Sequence, residues 1–273
     1  MATPQDLFQY GGIYYAAFND DTFLVINRGT ADGKTLVPQT TALLCGGVTV
    51  ILEPLILLGS NHVEKATVLK HDVVAYHVDE HKKEDANRLR EFLLNLTDDV
   101  LENKVVHLIL GPSEMISTAW RPTLEMLSKR GHISFFCIDE VREVEQSGRS
   151  FCPDFQKAVR LIPELIQLMP CPVPKIAMSA TLTDKDIHTI THLLGDMKPN
   201  ILSGPLHRRK IKFTCHISGD KSKSLKESAE VALSMAPYAQ HIWFTHSKTN
   251  AEGGLLVSAQ NMLEAHQQAD RSV

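Results

Sequence analysis

The stretch "VINRGTADGKTLV", Val25 to Val37, joins an apolar run to a helical pattern, and its reading governs the rest of the chain. Gly33-Lys34-Thr35 form the end of the phosphate-loop pattern G-x-x-x-x-G-K-[ST], while Arg28 stands where the first glycine belongs. Before it, "FLVIN" (23–27) suits a buried strand, and after it "TLVPQTTALL" (35–44) suits a helix. A strand, a glycine turn and a helix start together make an anion site, because unpaired backbone N–H groups and the helix dipole face the turn. Lys34 would neutralise phosphate there, and the Thr35 hydroxyl would hold Mg²⁺. Taken alone, half a pattern also suits an ordinary surface turn.

Working outward, short β-branched runs alternate with longer amphipathic stretches. The strand candidates are 22–27, 48–53, 73–78, 105–110, 133–139 and 175–180; "KEDANRLREFLLNL" (83–96) and "PDFQKAVRLIPELIQLM" (153–169) are helix candidates. Near-continuous apolar runs are the mark of strands buried on both faces, and their alternation with helices predicts an α/β doubly wound parallel sheet. Pro199, Gly204 and Pro205, followed by Arg208, Arg209 and Lys210, predict a linker near residue 205. Domains are therefore expected at 1–205 and 206–273. In the second, "IKFTCHI" (211–217) and "HIWFTHS" (241–247) read as strands flanking a helix, which is only the start of an α/β unit.

Composition narrows the class. Of 273 residues, 43% are apolar and 22% charged, as in a soluble globular protein. No run reaches the roughly 20 uninterrupted apolar residues of a membrane span. The opening "MATPQDLFQYGG" lacks the basic-then-apolar pattern of a secretory signal. Five cysteines without a close pair suit a reducing, intracellular setting, nuclear or cytoplasmic. The thirteen histidines show no metal-ligand spacing, and Trp120 and Trp243 suit cores. A net charge of −4 lends no support to a non-specific nucleic-acid binder, whose affinity comes from phosphate neutralisation.

Two more strand ends carry chemistry. In "FFCIDEV" (135–141) an apolar strand delivers Asp139 and Glu140 to its C-terminal end, the edge at which open α/β sheets bind ligands. Asp139 could hold Mg²⁺ and Glu140 could orient or deprotonate an attacking water. The same pair also suits the N-terminus of a following helix. "KIAMSAT" (175–181) ends in Ser179-Ala180-Thr181, which alone suits a plain strand end or helix cap. The weight lies in GKT, DE and SAT occurring in that order, each at the end of a strand candidate.

On these residues the chain resembles the RecQ-like DNA helicases of superfamily 2. "RGTADGKT" is similar to their first motif, "LEPLILLGSNHVEKA" (52–66) to the next with Pro54-Leu55, and "LILGPSEMIS" (108–117) to the Pro-x-Glu element with Pro112 and Glu114. "IDEVREVEQSGRSFCPDF" (138–155) resembles the Asp-Glu box running into the aromatic-rich loop, with Gln146, Gly148, Phe151, Pro153 and Asp154 matching. "MSATLTDKD" is similar to the third motif, and "HIWFTHSKTNAEGGLLVSAQ" to the opening of a second RecA-like lobe. The resemblance implies a RecA-like P-loop NTPase fold that binds ATP and Mg²⁺ and acts on DNA. It implies Thr30, Ala31, Asp32, Gly33, Lys34 and Thr35 around the nucleotide, with Thr35 and Asp139 on the metal. Lys34, Asp139 and Glu140 would carry catalysis, and Arg142, Ser179 and Thr181 would couple the site to DNA. Pro54, Glu114, Gln146, Arg149 and Phe151 would lie along the nucleic acid, single-stranded or at a duplex junction.

Several positions depart from the pattern. Ala31 and Asp32 replace small glycine-type residues of the loop. Arg142 stands where a histidine couples DNA contact to hydrolysis, and a permanently charged guanidinium cannot switch at neutral pH. Ser147 replaces a tryptophan, removing a stacking surface of roughly 1–3 kcal/mol, and Cys152 replaces a basic residue. The adenine-reading glutamine has no clean match; Gln9 is a candidate whose spacing to Lys34 is off. The resemblance stops before the later motifs of the second lobe, including an arginine finger worth roughly 10³–10⁵ in rate. The expectation is a truncated helicase that does not unwind DNA by itself. A non-catalytic remnant is the alternative, and a small α/β kinase is opposed by the SAT and Pro-x-Glu elements.

Overall fold

The computed structural model describes residues 7–19, 22–29, 32–54, 73–78, 82–101, 105–146 and 153–204. Contacts divide the chain into Met1–Arg208 and Arg209–Val273. The second unit, and with it Trp243 and the strands expected after residue 210, lies outside the described residues, as do Thr30, Ala31, Arg149 and Phe151.

Among the described residues the first unit is built on a seven-stranded sheet in the order β3-β4-β2-β5-β6-β1-β7. The strands are β1 (Phe23–Asn27), β2 (Gly47–Leu52), β3 (Val73–His77), β4 (Val105–Leu110), β5 (Ile133–Ile138), β6 (Lys175–Ser179) and β7 (Asn200–Ser203). All adjacent pairs are parallel, so every strand ends at the same edge. Six strands match the apolar runs of the sequence to within a residue or so at each end. All five residues of β1 and all six of β4 are buried, which is why those runs are apolar without alternation.

Alternate residues feed two cores. Val25, Val50, Leu108, Phe136 and Ala177 face one side, where Leu93, Trp120, Leu124, Phe155, Leu165 and Ile190 of the later helices cover them. Leu24, Ile26, Ile51, Phe135, Ile176 and Met178 face the other, against Ile13 and Ala16 of α1 (Leu7–Phe18) and Val37 and Ala42 of α2 (Leu36–Cys45). The expected doubly wound arrangement is therefore present, and Trp120 is a core residue at 2% exposure.

The strand β7 and the helix α1 are among the elements that leave no clear pattern in the sequence. β7 lies in the stretch read as a linker; three of its four residues are exposed, so an apolar signature is missing, and it is held by parallel pairing with β1. The helix α1 contains the Gly11-Gly12 pair and is apolar around most of its surface, with Tyr10, Tyr14 and Phe18 exposed. Helical periodicity is lost in such a segment. Gly12 lets α1 approach α2, since a Cβ there would lie 3.1 Å from both methyls of Val37.

One buried side chain ties the sheet edge together. Asn27, the last residue of β1, donates through Nδ2 to the Leu182 carbonyl at 3.0 Å and accepts from the Leu182 N–H at 3.0 Å. Replacing it with alanine leaves both backbone groups of Leu182 without their partner, 8% exposure at Asn27 leaving little room for water. Asn27→Ala should therefore cost about 2–3 kcal/mol, read as a lowered urea midpoint with unchanged slope. A midpoint equal to wild type would remove this contact from the account.

Candidate nucleotide site

The order β5-β6-β1 brings together three strand ends that lie far apart in the chain. Register does the rest: Asn27 of β1 is opposite Ser179 of β6, and Ile138 of β5 is opposite Ala177. GKT, SAT and DE thus sit at neighbouring positions of one edge.

After β1 the chain turns through Gly33 at φ +72° and enters α2. Leu36 and Val37 N–H groups close on the carbonyls of Gly33 and Lys34 at 3.1 Å each. The Lys34 ammonium donates back into the loop, to the Arg28 carbonyl at 2.8 Å and the Gly29 carbonyl at 3.1 Å. A cation is therefore held at the mouth of a helix N-terminus, the charge distribution an oxyanion requires. The Thr35 side chain makes no capping hydrogen bond to α2.

Gln9 of α1, 4% exposed, lies on the underside of this turn; its Nε2 donates to the Gly33 carbonyl at 3.4 Å. A Cβ on Gly33 would collide with Gln9 Nε2. Spacing in sequence did not reveal this approach, because α1 and the turn meet through packing. Gly33→Ala combines a left-handed backbone with that collision and should destabilise the fold by about 1–3 kcal/mol. In a Gln9→Ala background only the backbone part, about 1 kcal/mol, should remain. Urea denaturation of wild type, the two single variants and the double variant checks both numbers.

At the end of β5, Asp139 is 9% exposed and its N–H donates to the Leu52 carbonyl at 2.9 Å. Its Oδ1 accepts from the Glu140 N–H at 2.8 Å. Glu140 takes φ +45°, a strained backbone for a residue with a side chain, of the kind that persists where the surroundings over-determine it. Ser179, 1% exposed, donates its hydroxyl to Glu140 Oε2 at 3.0 Å. Burial raises the Glu140 carboxyl above the usual range, and the Asp139 charge adds to this. The Ser179 hydrogen bond and the Lys34 charge pull it back. Those influences put Lys34, Asp139, Glu140 and Ser179 in one electrostatic environment. A base of raised pKa is better matched to neutral-pH proton transfer than an ordinary carboxylate. In their donor chemistry, a carboxylate oxygen and a hydroxyl, Asp139 and Thr35 fit Mg²⁺.

Next to Glu140, Arg142 Nη1 donates to Thr181 Oγ1 at 2.7 Å, joining the DE turn to the SAT turn. Burial pushes the Cys137 thiol well up, and the charges of Asp139 and then of Glu53, which is 2% exposed at the end of β2, add to it. Glu53 is a second buried carboxylate at the edge that sequence reading passed over, because only its neighbours Pro54-Leu55 matched a pattern. Pro54 is partly exposed at the same strand end. Glu114 is buried, at 6% exposure, and folds back over Gly111, where a Cβ would meet its Oε2. Gln146 ends the short helix Glu143–Gln146, and its side chain lies outside the described residues. Among the described residues no helix is long and apolar enough to cross a membrane.

No protein-family model matches the chain. Against curated proteins it is 30% identical over 177 residues to the ATP-dependent DNA helicase Q5 of Mus musculus, covering 64% of this chain and 17% of that protein. It is 28% identical over 209 residues to the ATP-dependent helicase wrn-1 of Caenorhabditis elegans, covering 75% of this chain and 18% of that protein. It is 29% identical over 196 residues to the RecQ-like DNA helicase BLM of Xenopus laevis, covering 71% and 13%. Its homologues are RecQ-family DNA helicases.

In structure the chain is similar to the DUF1998 helicase MrfA bound to DNA and AMPPNP, with a TM-score of 0.67 and 16% identity over 95% of this chain and 36% of that one. Mss116p bound to ssRNA and AMP-PNP gives a TM-score of 0.59 at 14% identity, over 85% and 47%. These likenesses are of fold: the parallel sheet has the RecA-like arrangement of those helicase domains. The matched segments span less than a fifth of each of these three relatives, 17% of helicase Q5 for one. Asp32 and Arg142, which depart from the RecQ-like pattern, each have a partner within the site, Arg28 for the first and Thr181 for the second.

Proposed function

We propose that residues 1–205 are the ATP-binding lobe of a RecQ-type DNA helicase, which binds Mg²⁺–ATP at the ends of β1, β5 and β6 and hydrolyses it in response to DNA. The observation that supports this most is the Ser179–Glu140 hydrogen bond at 3.0 Å within the field of Lys34, which joins all three motifs in one site. The backbone of residues 30–35, with Lys34, would bind the phosphates. Thr35 and Asp139 would hold Mg²⁺, which when bound supplies charge neutralisation of the phosphates. Glu140 would accept the proton of the attacking water, and Ser179 would orient Glu140.

The Arg142–Thr181 hydrogen bond would carry the state of the nucleotide site to the DNA side, along Pro54, Glu114, Gln146, Arg149 and Phe151. Residues 206–273 would open a second RecA-like lobe. Unwinding of a duplex is not assigned to the chain by itself, and the setting that goes with this reading is intracellular, nuclear or cytoplasmic.

A second reading, a remnant that binds nucleotide or DNA without turnover, draws on Arg142, whose fixed charge cannot act as a proton-dependent switch. Phosphate release measured with and without single-stranded DNA separates the two. Stimulation by DNA supports the ATPase; ATP binding with no release at any DNA concentration supports the remnant. In the stimulated case Arg142→His should make the stimulation fall between about pH 6 and pH 7 as the ring loses its proton. The wild-type stimulation should be flat across that interval.

A further inference from the structure

Two residues of the loop face one another: Arg28, where the general phosphate-loop pattern has a glycine, and Asp32, where the RecQ-like motif has a small residue. Arg28 Nε lies 3.6 Å from Asp32 Oδ2, with the arginine side chain only 17% exposed. The guanidinium carbon is 4.3 Å from the centroid of Phe8 on α1. Its stem closes on Gly204, where a Cβ would stand 3.0 Å from Arg28 Cγ and 3.1 Å from Cδ. The Arg28 N–H donates to the Ser179 carbonyl at 3.3 Å, and its carbonyl accepts from Lys34. Elements from α1, β6 and the end of β7 therefore all hold this one residue in place.

Asp32 gives that placement a purpose. It immediately precedes Gly33 and Lys34, in the turn whose N–H groups and ammonium would receive a triphosphate. A carboxylate a few ångströms from an anion opposes its binding, and Lys34 is already committed to the phosphates in that reading. A second cation is needed if the loop is to keep its affinity. Arg28 is poorly placed to meet the phosphates itself, since its guanidinium is stacked on Phe8 and its stem is enclosed by Gly204.

We propose that Arg28 is a positioning residue that neutralises Asp32 and keeps its carboxylate turned from the phosphates, so that the two departures compensate each other. This rests on the nucleotide reading of the loop. It makes an asymmetric claim: loss of Arg28 alone harms anion binding more than loss of both residues.

The experiment is a calorimetric titration of the whole chain with Mg²⁺–ATP, for wild type, Arg28→Met, Asp32→Asn and the double variant, with Lys34→Ala as the site control. Circular dichroism melts accompany each. Arg28→Met should bind roughly 10-fold more weakly, a loss that shrinks with added salt, and Asp32→Asn a few-fold more tightly, about 3-fold. The double variant should return to within about 3-fold of wild type. A structural defect at Arg28 would respond to neither salt nor the second substitution. Unchanged binding in Arg28→Met, or a loss that persists in full in the double variant, overturns the compensation. If Arg28→Met does not fold, Asp32→Asn decides: binding no tighter than wild type overturns it. Binding abolished by Lys34→Ala but indifferent to Arg28 leaves the nucleotide site standing without the compensation, whereas binding indifferent to Lys34→Ala overturns both.

Discussion

Lys34→Ala is expected to weaken Mg²⁺–ATP binding by roughly 10- to 100-fold, the effect of losing charged hydrogen bonds of about 1.5–3 kcal/mol. The ammonium donates to two loop carbonyls, Arg28 O and Gly29 O, both neutral acceptors. A phosphate oxygen offers the same nitrogen a charged acceptor, and charge-assisted hydrogen bonds are roughly twice as strong as neutral ones. The gain on exchanging partners is what the alanine removes. Lys34→Arg should rescue little of it, because a planar fork does not replace a compact ammonium inside a tight turn. Titration with a fluorescent ATP analogue reads both variants, and a dissociation constant unaffected by the alanine would sink the nucleotide site.

Glu140→Gln is expected to lower ATP turnover by roughly 10²–10⁴ while leaving ATP affinity within a few-fold, the signature of a lost general base. The carboxyl is half-buried beside Asp139, and both circumstances raise its pKa. The base must be deprotonated, so turnover is lost as pH falls through that raised value, at a higher pH than for an unperturbed carboxylate. Ser179→Ala removes a hydrogen bond that holds the pKa down, so its acid limb should move to higher pH still. A pH–rate profile of the three proteins reads the order of the limbs.

Stability runs the opposite way to activity at this residue. A carboxyl whose pKa is higher folded than unfolded binds its proton more readily in the native state. Its ionised form therefore opposes folding above the folded pKa, and the opposition disappears as pH falls below the unfolded value. Glutamine carries no such charge. Glu140→Gln should melt at a higher temperature than wild type near pH 7 and converge with it in acid. A variant equally unstable at both ends of that range, or one that turns ATP over at the wild-type rate, would take Glu140 out of the base role. Removing a function while gaining stability is the expected mark of a group held in place for chemistry.

The three motifs were legible because each is a local pattern at the end of an apolar run. Gly33-Lys34-Thr35, Asp139-Glu140 and Ser179-Ala180-Thr181 could all be found without knowing which strands are neighbours. Glu53 was not legible, since its significance depends on β2 lying next to β5. Asn27 read as the polar end of a strand, and only the turn after β6 shows that both its amide atoms are used. The spacing of Gln9 to Lys34 is off in the sequence, and spacing is a poor guide across two elements that meet by packing. Arg28 and Asp32 were each read as defects in a pattern; the ion pair between them needs the turn to be folded.

By itself the sequence determined the alternation of strand and helix and the residue types at each strand end. Burial on two faces writes itself into continuous apolar runs, and a phosphate turn into one glycine and one lysine. Tertiary structure alone decided the strand order, and with it that β5, β6 and β1 are adjacent. The reason is physical: parallel strands are joined by long crossovers, so chain order leaves the order in the sheet open. That choice set Ser179 against Glu140 and Arg142 against Thr181. It also raised the pKa of Glu140, a property of burial and neighbouring charge that no local stretch of residues carries.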